Sequence, residues 1–148
     1  MITKLLPDQI AKFWPVIKYA IEESLPPITG GHLDRINRML SAALSGKIEV
    51  WAVYNRSDNK FEAILITQFL YDDASNTKNL LLYCLYGYTT IGLNSWNDSL
   101  EYIAKYAKAN GCHSIMAYSA NQDLIKTAKS IGANTDYTFI SFELSKIV

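Results

Sequence analysis

Apolar residues recur along this chain with two different periods, and the changes of period mark its elements. From Pro7 onward, Ile10, Phe13, Trp14, Ile17 and Ile21 repeat at helical spacing. Pro7 suits a first helical turn, where its missing N–H would be unpaired anyway. Pro15 either kinks this helix or staggers its start. Pro26-Pro27 forbids its continuation, and residues 28–31 read as a loop. A second helix is expected from about His32 to Leu44, with Leu33, Ile36, Met39, Leu40 and Ala43 inward and Gly46 as its stop.

The period then shortens to two. Ile48, Val50, Ala52 and Tyr54 alternate with Glu49, Trp51 and Val53, which is a strand pattern. Asn55 to Asn59 is a turn cluster, Phe61 to Tyr71 a long strand, and Asp72 to Asn79 a polar turn. Leu80 to Tyr88 is apolar on both faces, as central strands are. Short turns make these three strands an antiparallel meander, and Ile2 to Leu6 is a short candidate edge strand. A helix follows from about Ser95 to Asn110, with Trp96, Leu100, Ile103, Ala104 and Ala107 as its core stripe. The chain closes with a strand at His113–Tyr118, a helix after Asn121 running to Gly132, and a strand at Tyr137–Leu144. There is no repeat, linker or low-complexity segment.

Composition narrows the possibilities. The 148 residues fit one domain, 1–148, large enough to bury roughly 70% of its unfolded surface. Lys+Arg and Asp+Glu both number 14, so the basic excess of a nucleic-acid binder is missing. Arg35, Arg38 and Lys47, like Lys126 and Lys129, read as solvated helix faces. No apolar run reaches the length of a membrane span. Met1 to Pro7 lacks the apolar core of a signal peptide, so Sec secretion is not expected. Cys84 and Cys112 show no paired spacing, and His32 and His113 stand alone, so free thiols and no metal site are expected. Ten tyrosines are the unusual count. They suit a strand-rich sheet or a protein interface.

The closing order is helix, Gly111, strand, Asn121, helix, Gly132, strand. It resembles the second half of the GCN5-related N-acetyltransferases, the GNAT fold. The resemblance implies an α/β (α+β) domain: a mixed, mostly antiparallel sheet of about six strands flanked by about four helices. Members of that family move an acyl group from acyl-CoA to an amine. Their cofactor's pyrophosphate sits at the N-terminus of the central helix, on a Gln/Arg-x-x-Gly-x-Gly/Ala loop. Aligning the family's helix end with Ala107 and Gly111 sets that loop on residues 91–96. Ile91 then replaces the Gln or Arg, Asn94 the first glycine and Trp96 the last small residue, with Gly92 between. In the following helix, Asn121 and Gly132 keep the family spacing, but Ala128 stands where a Tyr often serves as general acid, and Ala133 replaces a Phe.

Glu49, Glu62, Asp72 and Asp73 are the carboxylates available as a general base. The first two read as exposed strand residues and the others as turn formers. The resemblance therefore implies a scaffold with a degenerate cofactor loop, no assigned catalytic residue and no cofactor; acetyl-CoA is the alternative. Tyr83, Tyr86, Tyr88, Trp96, Tyr118 and Asn121 are the candidate cleft or interface residues. The segments 25–27, 79–83 and 111–118 are similar to small GNAT-like proteins of tailed bacteriophages. That implies a non-catalytic virion component or host-interaction factor in the virion or host cytoplasm, acting through a protein partner or self-association. The alternative is a divergent N-acyltransferase using acetyl-CoA.

Overall fold

A computed structural model describes residues 1–29 and 34–148. The expected helix start at His32 and the inward Leu33 lie outside the described residues. The chain forms two compact units, Met1–Ala117 and Tyr118–Val148. The first unit holds β1 (Ile2–Lys4), α1 (Pro7–Lys12), α2 (Trp14–Glu23), α3 (Arg35–Leu44), β2 (Glu49–Tyr54), β3 (Phe61–Asp72), β4 (Thr77–Gly87), α4 (Leu93–Ala109) and β5 (Ser114–Ala117). The strands form one sheet in chain order, antiparallel from β1 to β4, with β5 parallel to β4.

The expected first helix is two helices. Phe13, at φ −99° and ψ 13°, ends α1 and caps α2: its N–H donates to Gln9 O, and its own carbonyl accepts from Val16 and Ile17. Pro15 has no N–H for the helical ladder and its ring would clash with an earlier carbonyl, so a new helix starts one residue before it.

Each face of the sheet carries its own core. On one, Ile10, Ile17, Ala20, Ile21 and Ala43 of α1–α3 pack on Val50, Ala52, Ile64, Ile66 and Cys84. On the other, Ile103 and Ala107 of α4 pack on Trp51, Val53, Ala63, Leu65 and Leu80. The α4 stripe is narrower than its sequence suggests. Ile103 and Ala107 are buried, Trp96, Leu100 and Tyr106 are half-buried, and Ala104 is exposed. Strand β2 is buried on both faces, and Glu49 is buried with it at 6% exposure, contrary to its reading as an exposed strand residue.

The second unit contains α5 (Gln122–Ser130) and a single 3-10 turn at Leu144–Lys146. Asn121 Oδ1 accepts from the Asp123 and Leu124 N–H groups, an N-cap that satisfies two otherwise orphaned donors. Gly132, at φ +101°, follows the helix in the left-handed region that glycine tolerates. The expected strand at Tyr137–Leu144 does not form, so the sheet has five strands rather than six. Alternation supplies only the side-chain period; a strand also needs a neighbour for its N–H and C=O groups, and no described strand pairs with this segment. Tyr137, Ile140, Phe142 and Leu144 are exposed.

Candidate functional site

The site is set by an irregularity in β4. Ile66 pairs with Cys84, but the next residue of β3, Thr67, pairs with Leu82, so Tyr83 is one residue too many in its strand. Such a bulge reverses which face later side chains occupy. Before it, Leu80 and Leu82 face α4; after it, Cys84, Tyr86 and Tyr88 face α1–α3. Pairing between β4 and β5 stops at Leu82 and Ala117, beside the bulge. From Tyr83 to Gly87, β4 pairs with no described strand of the first unit on that side. Tyr88 N–H bonds Glu62 O on the β3 side. The alternation of a pleated strand then turns the backbone groups of Leu85 and Gly87 toward the open edge.

The bulge gathers the tyrosines. The Tyr86 ring meets Tyr88 edge-on at 5.1 Å and Tyr19 of α2 at 5.6 Å, and Tyr88 donates to Val16 O at 2.9 Å. Burial pushes the Tyr88 hydroxyl up to about 12, and burial likewise raises Tyr83. Tyr86 is raised first by its hydrogen bond with Tyr19, with Glu23 adding the smallest contribution. These hydroxyls are protonated donors at neutral pH, not bases. Tyr19, half exposed, was missed in the sequence because a lone Tyr on a helix carries no signal. Of the other expected site residues, Tyr118 and Asn121 belong to the second unit. There the Tyr118 ring meets Phe139 at 4.9 Å and Asn121 serves as helix cap.

At the start of α4, the backbone and the side chains differ in what they offer. Gly92 is the N-cap in extended conformation with no side-chain cap, and a Cβ there would meet nothing within 4 Å. The N–H groups of Leu93, Asn94 and Ser95 have no partner among the described residues, an arrangement that suits an anion. Ile91, however, is half-buried and packs against the core on the α4 side of the sheet. Its Cδ1 is 3.9 Å from where a Gly87 Cβ would stand. A side chain thus stands beside Gly87 at the end of the β4 edge, and none of Ile91, Asn94 and Trp96 supplies a cation. Trp96 is half-buried and belongs to neither core cluster. The backbone N–H groups suit an anion, and no side chain of the loop adds a cation to them.

Of the candidate bases, Glu49 and Asp72 are hydrogen-bonded, Asp73 lies in a turn, and Glu62 stands across from Tyr88. Glu49 faces α4, where its carboxylate accepts from Thr67 at 2.9 Å. Desolvation raises it, more than the Thr67 bond, Lys4 and Tyr106 lower it. Asp72 closes the β3–β4 turn by accepting from Ala74 N–H and the Ser75 hydroxyl, and Asp73 is exposed in the same turn. Glu62 is half-buried near the start of β3. Cys84 and Cys112 are free thiols. Among the described residues, no group of His, Cys, Asp and Glu could hold a metal, and no helix is long and apolar enough to cross a membrane.

No protein-family model and no curated protein sequence matches the chain. Solved structures do match. A probable acetyltransferase superposes with a TM-score of 0.71 at 10% identity, covering 97% of this chain and 95% of its own. A ribosomal-protein-alanine N-acetyltransferase from Brucella melitensis biovar Abortus 2308 gives 0.68 at 12% identity, covering 97% and 99%. A predicted acetyltransferase with acetyl-CoA from Clostridium acetobutylicum gives 0.68 at 13%, covering 99% and 97%. The chain has the GNAT fold.

Proposed function

We infer that this protein is a non-catalytic GNAT-fold binding protein that engages a protein partner, or a second copy of itself, through the open edge of β4 and its tyrosines. The observation that carries the reading is Ile91. It stands beside Gly87 at the end of the edge, while the bulge lines the α1–α3 side with Tyr83, Tyr86 and Tyr88. Tyr is a favoured interface anchor, and an unpaired strand edge can accept an added strand. Similarity of three short segments to phage-encoded proteins supports a virion or host-cytoplasm setting.

Titration calorimetry with acetyl-CoA tests the reading. No saturable heat is expected at millimolar ligand, and a micromolar dissociation constant would overturn it. The second reading, N-acyl transfer from acetyl-CoA to an amine, is favoured by the uncapped α4 N-terminus. It requires acetylated product from some amine in a broad screen.

A further inference from the structure

Glu49 is a carboxyl group set into an apolar layer. It opens β2, is 6% exposed, and stands on the sheet face against which Ile103 and Ala107 of α4 pack. Its side-chain donors are neutral: the Thr67 hydroxyl of β3 at 2.9 Å and the Tyr106 hydroxyl of α4. It forms no ion pair with any described residue. Lys4 of β1 acts on it only through space, its ammonium 5.7 Å over the Tyr106 ring and its side chain open to solvent. Cys112, just past α4, feels the same carboxylate and Lys78 of β4. These are the charged and titratable groups that act on this corner among the described residues. One ionisable side chain thus joins β2 and β3 to α4. Trp51 sits at the same junction, its ring edge-on to Tyr106 at 4.8 Å and its indole N–H bonded to Thr67 at 2.9 Å.

A carboxyl taken out of water without a paired cation favours its neutral form. Here burial raises Glu49 above its ordinary value, more than Thr67, Lys4, its own backbone and Tyr106 lower it. The neutral carboxyl also gains an O–H donor, for which the Tyr106 hydroxyl oxygen is an acceptor. We propose that Glu49 is a proton-operated brace: neutral, it ties β2 and β3 to α4 through Thr67 and Tyr106, and ionised, it loosens α4 from the sheet. The folded chain holds this proton more tightly than the unfolded one. The contribution to stability is therefore full below about pH 4.5 and is lost as pH rises through the higher, folded value. Acid tightens this junction, the reverse of its effect on carboxylates held ionised in a fold. The brace is separate from the partner-binding reading, since Tyr83 to Gly87 take no part in it.

The test follows the intact protein by NMR across the acid-to-neutral range. The Glu49 carboxyl carbon should titrate with a midpoint above 4.5. The Trp51 indole proton, assigned with Trp51→Phe, should move with the same midpoint. Hydrogen-exchange protection of the α4 amides around Tyr106, corrected for intrinsic exchange, should fall as pH rises through it. The fall should reach about tenfold for each unit by which the midpoint exceeds 4.5. Glu49→Gln, neutral at every pH, should abolish both the indole movement and the fall in protection, whereas Glu22→Gln on α2 should leave both in place. If Glu49→Gln does not fold, the three measurements on the unaltered protein decide. A Glu49 midpoint at or below 4.5, an indole proton that does not follow it, level α4 protection, or a response that survives in Glu49→Gln overturns the proposal.

Discussion

The Trp51 indole N–H donates to the Thr67 hydroxyl at 2.9 Å, and that hydroxyl donates in turn to Glu49 Oε2 at 2.9 Å. All three side chains are buried on the α4 face, where Trp51 also meets the Tyr106 ring edge-on at 4.8 Å. Thr67 is thus both acceptor and donor at the centre of a polar chain inside an apolar layer. Thr67→Val keeps the shape but strands the Trp51 donor and removes one of the partners of Glu49, leaving it Tyr106. It should cost about 1–3 kcal/mol per group left unpaired, read from urea denaturation. A loss within a few tenths of a kcal/mol would mean that water reaches these groups.

The α4 stripe sets a graded pair of substitutions. Ile103 is 2% exposed against Trp51 and Leu65, whereas Leu100 is half-buried. Ile103→Ala should cost about 2–5 kcal/mol, from lost transfer energy and the cavity left behind. Leu100→Ala should cost clearly less, because solvent already reaches it. Equal losses would place Leu100 deeper than it stands here.

Cys84 gives a pH dependence whose sign follows from burial. Desolvation pushes its thiol from 9.0 up to about 11, against a smaller lowering by Ser24. The folded value lies above the unfolded one, so this contribution is full below about pH 9 and is lost as pH rises through about 11. Across that window the native protein should lose about 1–3 kcal/mol more than Cys84→Ala does. The comparison is made on the slope of stability against pH, since Tyr88 and Tyr106, both pushed up to about 12, contribute to both proteins. Parallel slopes would remove Cys84 as the cause.

Ile91→Gly removes the side chain that stands beside Gly87. It should lower stability by about 2–5 kcal/mol, less what solvent contact already discounts for a half-buried residue. It should bring no acetyl-CoA binding, since no cation is gained. Trp96→Gly, outside both core clusters, should cost less. Acetyl-CoA stabilising Ile91→Gly in a thermal melt would show a cofactor site closed by one side chain.

Much of the frame was legible in the chain. The α1–α4 stripes, the β2–β4 meander and the helix beginning after Asn121 all follow from local period, caps and prolines, which act over a few residues. Ile91, Asn94 and Trp96 stand out as departures from a phosphate loop only through the family resemblance, which sets the alignment. Other features could not be read locally. Glu49 looked like the polar side of an alternating strand, but β2 lies between two covered faces and its carboxylate is held by Thr67, 18 residues away. Tyr137–Leu144 has the alternation of a strand but is not one. The extra residue at Tyr83 leaves no mark in composition, since a bulge exists only in the register of two strands. That register sends Tyr86 and Tyr88 to the α1–α3 face. Sequence period fixes which residues share a face of one element. Which face meets which neighbour, and where pairing stops, is decided by backbone hydrogen bonds between distant segments, and those belong to the tertiary structure alone.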